Sequence, residues 1–414
     1  MEINTEPFIF KLQNTNLNDD IKYDIILSSS INQSLISLGY HYFLNRLKND
    51  MIQHTKNLKT DNKFYFVINP FEMNIQNYED NINKMTSIYL NKKDNKDYPR
   101  SFYKTWEMLY LFDLTKIDLT EINLTKIEKK QFIMTCIDKK ESGVASAFRN
   151  YTDKLGVSKN GVSNIVNELN DDFMKNTLKT KSDLIIANCK VNIHSDLYIY
   201  QEQYHYNVIL AEIITALKLQ EVNGNFVLRV FDTFTHVSVK LIYFLSSFYE
   251  KVYIYKPYFS RVTSSEKYVI FKGFKTIKDN IISSLESIHK ELIQKESISK
   301  ESISSESYVF DIFSNLILPD DYLRNFTFVN KTIANAQQIM INKIITFIKE
   351  NNYYGDKYHK NKEIQINSVK WWVKTFYAPS LNLYEENRKK LFKIITSTEE
   401  TNSLRVNQFI QQIL

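Results

Sequence analysis

Apolar positions recur along this chain with two periods, and each change of period marks an element. Leu35–Met51 carries apolar residues at helical spacing and predicts a helix. Lys63–Ile68 (KFYFVI) is a short apolar run stopped at Asn69-Pro70 and predicts a strand. Asn91–Pro99 is polar and ends in proline, which suits a boundary, and Ser101–Phe112 predicts an aromatic-rich helix. From residue 183 the pattern is regular. Asp183–Ala187 (DLIIA) predicts a buried strand. Tyr204–Val222 predicts a long helix, with apolar Val208, Ile209, Ala211, Ile213, Ala216 and Leu217, capped by Asn223-Gly224. Asn225–Asp232 predicts a strand, Val237–Tyr249 an amphipathic helix, Lys251–Lys256 a strand stopped by Pro257, and Glu266–Lys272 another strand.

Strand–helix–strand–helix–strand implies right-handed βαβ crossovers and an α/β fold with a mainly parallel, doubly wound sheet. The last two strands, joined by a short loop, imply an antiparallel hairpin at one edge. Four regions follow: an N-terminal α+β extension (1–95), the sheet domain (96–275), a Ser- and charge-rich linker or solvated helix (276–306), and a helical C-terminal region (307–414). KESIS occurs twice in tandem, at 295–299 and 300–304, and two copies do not make a repeat architecture. In the last region Ala334–Ile348 is the clearest amphipathic run, and Trp371-Trp372 are expected in the core.

Composition narrows the chemistry. The 414 residues include only seven glycines, where average usage would give about 29. No dinucleotide-binding or P-loop glycine pattern can be written from seven. Lys and Arg number 53 against 47 Asp and Glu, a net charge of +6 that permits an acidic partner such as RNA without demanding one. Cys136 and Cys189 form no CxxC pair, which fits a reducing compartment, and no metal-binding set of Cys and His occurs. The start MEINTEPFIF lacks a basic segment followed by an apolar run, and no stretch is apolar enough to span a bilayer. The expectation is a soluble cytoplasmic protein, with a viral replication site or virion as the narrower setting.

Four stretches carry a resemblance. They are "SFYKTWEML" (101–109), "DLIIANCKVNIHSDLYIYQE" (183–202), "NGNFVLRVFDTFT" (223–235) and "YEKVYIYKPYFSRVTSSEKYVIFKGF" (249–274). Together they resemble the FtsJ-like ribose 2′-O-methyltransferases, most of all the mRNA cap enzymes of large cytoplasmic DNA viruses. The KP-SR-SSE-Y block is the most specific match. The resemblance implies a Rossmann-like methyltransferase sheet, S-adenosylmethionine as cofactor and RNA, such as capped mRNA, as partner.

It also implies a Lys-Asp-Lys-Glu tetrad that orients the ribose hydroxyl and helps remove its proton. The first lysine matches Lys104 and the glutamate matches Glu266. The aspartate falls on Asn188 and the central lysine on Arg229. An arginine stays charged at neutral pH and shuttles no proton. Asn188 keeps the shape of aspartate without its charge, so these four side chains sum to +1. The family's glycine turn aligns with "KKESGVASAF" (139–148), leaving Ser142 and Gly143 as cofactor-binding candidates, with Asp171 and Asp172 as a further acidic pair. Lys256, Ser260, Arg261 and Ser264 match the turn that lies beside the substrate and are the RNA-binding candidates. Tyr198, Tyr200, Tyr255 and Tyr258 offer stacking surfaces or packing.

Each residue also has a structural reading. Arg229 lies in an apolar strand and needs a partner, for which Glu266 is the natural choice. Lys104 could lie on a solvated helix face, Asn188 could cap a turn, Glu202 could cap or orient a helix, and Arg261 could make a local bond. Three altered parts, the glycine turn, the acidic turn and the central lysine, point to a non-catalytic RNA-binding or scaffold subunit of a capping, transcription or polyadenylation machinery. The alternatives are an active RNA ribose 2′-O-methyltransferase and a purely structural interaction protein.

Overall fold

The computed structural model describes residues 8–377 apart from 14, 16, 18–19, 32–34, 57, 59–63, 74–80, 93–96, 116–131, 139–142, 156–161, 167–180, 192–194, 302–307 and 351–354. Its strands are β1 (Phe8–Leu12), β2 (Ile26–Ser28), β3 (Ile133–Ile137), β4 (Val162–Val166), β5 (Ser182–Ala187), β6 (Gln220–Val230), β7 (Tyr249–Lys256), β8 (Lys267–Phe274) and β9 (Tyr308–Asp311). Its helices are α1 (Leu38–Lys56), α2 (Ile82–Tyr89), α3 (Arg100–Phe112), α4 (Gly143–Leu155) and α5 (Gln201–Leu219). They continue with α6 (His236–Ser246), α7 (Asp279–Glu301), α8 (Asp320–Glu350) and α9 (Asp356–Phe376).

Seven strands form one sheet in the order β1-β7-β8-β6-β5-β3-β4, and β2 pairs with β9 separately. The pairs β4–β3, β3–β5 and β5–β6 are parallel, and β6–β8, β8–β7 and β7–β1 are antiparallel. The doubly wound α/β sheet expected from the pattern is therefore present. The β7–β8 hairpin is present too, but not at the edge. Its β8 lies inside, between β7 and β6, and β1 covers β7.

Alternation along the strands explains the two cores. Ile185, Ala187, Leu228 and Val230 face one side, where α5, α6, α7 and α8 bury them. Leu184, Ile186, Val227, Met134 and Cys136 face the other, beneath α3, α4 and α9. Successive side chains on a strand point to opposite faces, so strands covered on both faces read as unbroken apolar runs.

Several expectations shift. Phe64–Ile68 is a 3-10 turn rather than a strand. Among the described residues no strand pairs with it; Gln365 of α9 donates to the Phe66 and Asn69 carbonyls (both 2.9 Å), and Val67 packs on Phe347 and Tyr358. The long helix ends at Leu219, earlier than expected, and Asn223-Gly224 do not cap it. They belong to an irregularity in β6, where Glu221–Gly224 loop out between the Ser182–Gln220 and Leu184–Asn225 pairings. Asn223 takes φ of 62°. The helix after it ends at Ser246, and Tyr249 already belongs to β7. Residues 279–301 are helical, and Leu285, Ile288 and Leu292 bury one face, so only part of that helix is solvated. Trp372 is fully buried and Trp371 partly so. Glu202 sits in the first turn of α5 and braces the start of α6, accepting the Phe234 and Thr235 amides at 2.7 and 3.2 Å, while Thr235 itself caps that helix through the Ser238 amide.

At Gly224 a Cβ would lie 2.8 Å from the Glu221 carbonyl oxygen and 2.9 Å from that of Asp183, both backbone atoms. Gly224→Ala is expected to cost about 1–3 kcal/mol by overpacking, read as a lower urea midpoint with unchanged m. An unchanged midpoint would contradict this close approach.

Candidate functional site

The site grows out of the strand register. Cys136 pairs with Ile186, Ile186 with Val227, and Arg229 with Tyr268. Cys136, Ile186, Val227 and Tyr268 all belong to the core face beneath α3. Two residues further on, the same face carries Asp138, Asn188 and Arg229, with Tyr268 next in line. Four strands thus deliver a polar row at their ends: Asp138, Asn188, Arg229, Tyr268. Such strand ends are where doubly wound sheets place ligands.

Glu266, just ahead of β8, and Lys104 on α3 complete the cluster. Lys104 Nζ donates to both carboxylate oxygens of Glu266, at 2.8 and 2.9 Å. Arg229 Nη2 lies 2.5 Å from Glu266 Oε1, and Ser260 Oγ donates to Oε2 at 2.6 Å. Burial works to raise the Glu266 pKa, but the Lys104 and Arg229 cations overcome it and hold the carboxyl far below the usual range. Burial lowers the Lys104 pKa despite Glu266. Burial also opposes the Arg229 charge, but Glu266, Tyr268, Asp138 and Glu212 outweigh it, so this guanidinium is more firmly protonated than usual. The expected Arg229–Glu266 pair is present, and all four tetrad positions meet in one network.

Asn188 is fixed at both ends. Its Nδ2 donates to Asp138 Oδ2 at 2.6 Å, and its Oδ1 accepts from the Tyr268 hydroxyl at 3.1 Å. Its carbonyl accepts from Arg229 Nη1 at 3.3 Å. Asn188 therefore works through its side chain and does more than close a turn.

The turn at 256–266 wraps the cluster. Lys256 Nζ donates to the Ser264 and Glu266 carbonyls, at 2.6 and 2.9 Å, and burial pulls its pKa down to about 7. Ser264 Oγ accepts the Glu266 amide at 3.2 Å. Lys256 and Ser260 are buried, whereas the Arg261 side chain is 41% exposed, with Nε 3.8 Å from Glu72 Oε2 and its guanidinium over the Phe66 ring. Of the four turn residues expected to meet RNA, Arg261 is the charged one that reaches solvent. Tyr255 is fully buried and Tyr258 packs on Trp371 (5.1 Å), so both are packing residues.

Of the cofactor candidates, Ser142, Asp171 and Asp172 lie outside the described residues. Gly143 opens α4. Its amide donates to Ser101 Oγ at 3.2 Å, and a Cβ there would lie 2.6 Å from the Phe102 nitrogen. This glycine serves the packing of α4 against the start of α3. Among the described residues no group of three or more His, Cys, Asp or Glu could hold a metal ion.

Sequence reasoning missed three groups. Asp138 closes the strand "QFIMTCID", and its position at a strand end was the available signal. Tyr268 lies two residues beyond Glu266 on the same strand face. Glu107 lies one helical turn beyond Lys104 in an otherwise aromatic helix. Its carboxylate accepts the Tyr255 hydroxyl (2.6 Å), the Tyr258 and Phe259 amides (2.8 and 3.2 Å) and Trp372 Nε1 (3.0 Å). It ties α3 to the 257–259 turn and to α9.

Residues 118–274 match the family described as FtsJ-like methyltransferase. Three proteins named cap-specific mRNA (nucleoside-2′-O-)-methyltransferase 1 are similar to this chain. The Trypanosoma cruzi protein is 32% identical over 115 residues, 28% of this chain and 32% of the relative. The Drosophila melanogaster protein is 28% identical over 242 residues, 56% of this chain and 29% of the relative. The mouse protein is 38% identical over 92 residues, 22% and 11% respectively. The matched segments span about a third or less of these relatives.

Two outcomes test the geometry. Glu266→Gln leaves Lys104 and Arg229 buried without their shared anion and is expected to cost about 3–5 kcal/mol in urea unfolding, whereas a loss below 1 kcal/mol would show that the ion pairs do not hold the site. Burial pushes the Glu107 carboxyl up to about 7 from 4.5. The folded chain therefore keeps a proton that the unfolded chain loses, so this contribution is full below pH 4.5 and fades as pH rises to 7. Its size is up to about 3 kcal/mol. Unfolding free energy measured from pH 4.5 to 7 is expected to fall more steeply in the native chain than in Glu107→Gln. Equal slopes would place the titration elsewhere.

Proposed function

From a chain that carries an FtsJ-like methyltransferase domain, we propose a non-catalytic RNA-binding subunit built on a cap ribose 2′-O-methyltransferase site. Its setting is a cytoplasmic RNA-processing machinery, such as a viral capping, transcription or polyadenylation complex. One observation carries the reading. At the central position of the site stands Arg229, ion-paired to Glu266 and held more firmly protonated than an ordinary arginine. A group that does not release its proton is no general base. The remaining lysine, Lys104, is committed to both oxygens of Glu266. Gly143 is likewise committed to α3, which speaks against a working cofactor turn.

RNA binding draws on different groups. Arg229 is ion-paired within the site and its Nε is buried, so contact with RNA falls to groups nearer solvent. Arg261, partly exposed on the neighbouring turn, adds a guanidinium suited to phosphate. The rival reading, an active S-adenosylmethionine-dependent enzyme, is favoured by the Lys104–Glu266 contact, by the lowered Lys104 pKa and by the match of residues 118–274 to the FtsJ-like methyltransferases.

Calorimetric titration with S-adenosylmethionine is expected to give no binding heat, and tight binding would overturn the non-catalytic reading. Filter binding of capped RNA over a salt series is expected to show a steep slope, and Arg261→Ala should reduce it by about one. A flat salt dependence would favour a purely structural protein.

A further inference from the structure

Arg261 stands on the turn after β7, next to Ser260, whose hydroxyl donates to Glu266. Its support comes from residues 64–73, which lie ahead of the residues matched to the family. This segment is fastened to the body of the molecule. Gln365 holds the Phe66 and Asn69 carbonyls, and the Phe71 ring packs on Tyr258 and Phe259, with centroids 5.4 and 5.8 Å apart.

Two of its side chains meet Arg261. The guanidinium lies over the Phe66 ring, 4.1 Å from the centroid. Glu72 is buried and places Oε2 3.8 Å from Arg261 Nε. That carboxylate is held from several sides. The Met73 amide donates to Oε1 at 3.0 Å, Asn69 Nδ2 donates to Oε2 at 3.4 Å, and Arg100 Nη2 donates to Oε1. Arg100 Nη1 also donates to the Phe71 and Phe259 carbonyls, both at 3.2 Å. Arg100 is thus the tightly bound cation of the pair. Arg261 is the looser one, because 3.8 Å is beyond hydrogen-bond reach and its Nε makes no hydrogen bond among the described residues.

The shape of a guanidinium gives this arrangement a use. Its N–H donors lie in the plane of the group, whereas stacking uses the face. Phe66 therefore fixes the plane without occupying a donor, and Glu72 fixes the inner end at Nε. The Arg261 side chain is still 41% exposed, which leaves the outer nitrogens Nη1 and Nη2 for an anion from solvent. Two donors in one plane match two oxygens of a phosphate group.

We propose that Phe66 and Glu72 hold Arg261 in a preset orientation as the receptor for one phosphodiester of RNA, so that residues 64–73 form one wall of the RNA path. Phe66 and Glu72 are positioning residues, and Arg261 alone touches the phosphate. The proposal rests on the RNA-binding reading and deepens it by naming what presents the guanidinium. A free arginine loses several rotors when it grips a phosphate. One already stacked and tethered has lost them beforehand, so it binds more tightly. The receptor sits at the rim of the buried cluster. Ser260 precedes Arg261, and Arg100 lies one helical turn ahead of Lys104 on α3.

The test is filter binding of capped RNA over a salt series by full-length chains: native, F66L, F66Y, E72Q, R261A and F66L/R261A. F66L keeps an apolar side chain and removes the ring face. It is expected to weaken binding about threefold to tenfold at every salt concentration with the native slope, because a less ordered arginine still makes the contact. F66Y keeps the face and should bind within about twofold of the native chain. R261A should lower the slope by about one, and F66L/R261A should bind as R261A does, since the ring then has nothing to orient. E72Q is expected to weaken binding by a factor similar to that of F66L, and native-like binding would overturn the part assigned to Glu72. Should E72Q fail to fold, the Phe66 variants decide. Losses for F66L and R261A that multiply in the double variant, an F66L chain as tight as the native one, or an F66Y loss equal to that of F66L would overturn the proposal. A native chain that binds no RNA would overturn the RNA-binding reading together with it, whereas multiplying losses overturn this proposal alone.

Discussion

One carboxylate organises this molecule. Glu266 brings together Lys104 from α3, Arg229 from β6 and Ser260 from the turn after β7. Its desolvation is costly, and two cations offset that cost. The Glu266 carbonyl and the Ser264 carbonyl also accept from Lys256, so the turn that delivers the carboxylate is braced by a buried amine. Remove the anion and two buried positive charges lose their counterpart at once.

The rest of the fold holds that carboxylate's partners in place. Strand register sets Asp138, Asn188, Arg229 and Tyr268 in one row, because each follows its strand's buried positions at a spacing of two. Helix α3 is buried over Phe102–Phe112, so Lys104 has little freedom to leave. Glu107 adds a second anchor from the same helix, binding the 257–259 turn and Trp372. Through Trp372 helix α9 becomes part of the support for a site made of distant segments. The site's polar groups are therefore fixed by packing before any ligand arrives.

The sheet was legible because strands β5 to β8 are apolar runs separated by clear helical periods. Arg229 and Glu266 were legible as a pair because a charge in "NFVLRVFD" has no solvent to face. Residues 64–68 misled because an aromatic run reads as a strand whether or not an edge exists to receive it. Asn223-Gly224 misled because it resembles a helix cap, whereas the irregularity in β6 depends on the neighbouring strand's Ser182 and Asp183. Asp138 was passed over for another reason. It ends one strand while its partner Asn188 ends another, and only the parallel register joins them. Asn188, viewed alone, read as a loss of charge; beside Asp138 it is half of a hydrogen-bonded pair.

The Lys104–Glu266–Arg229 network joins α3, β6 and the head of β8, its centre is a guanidinium that holds its proton, and the glycine at the head of α4 is absorbed into helix packing. The most direct test is transfer of a labelled methyl group from S-adenosylmethionine to capped RNA by the full-length chain, followed from pH 6 to 9. With Arg229 at the centre, no transfer above background is expected at any pH in that range. Sustained turnover at a ribose 2′-oxygen would contradict it.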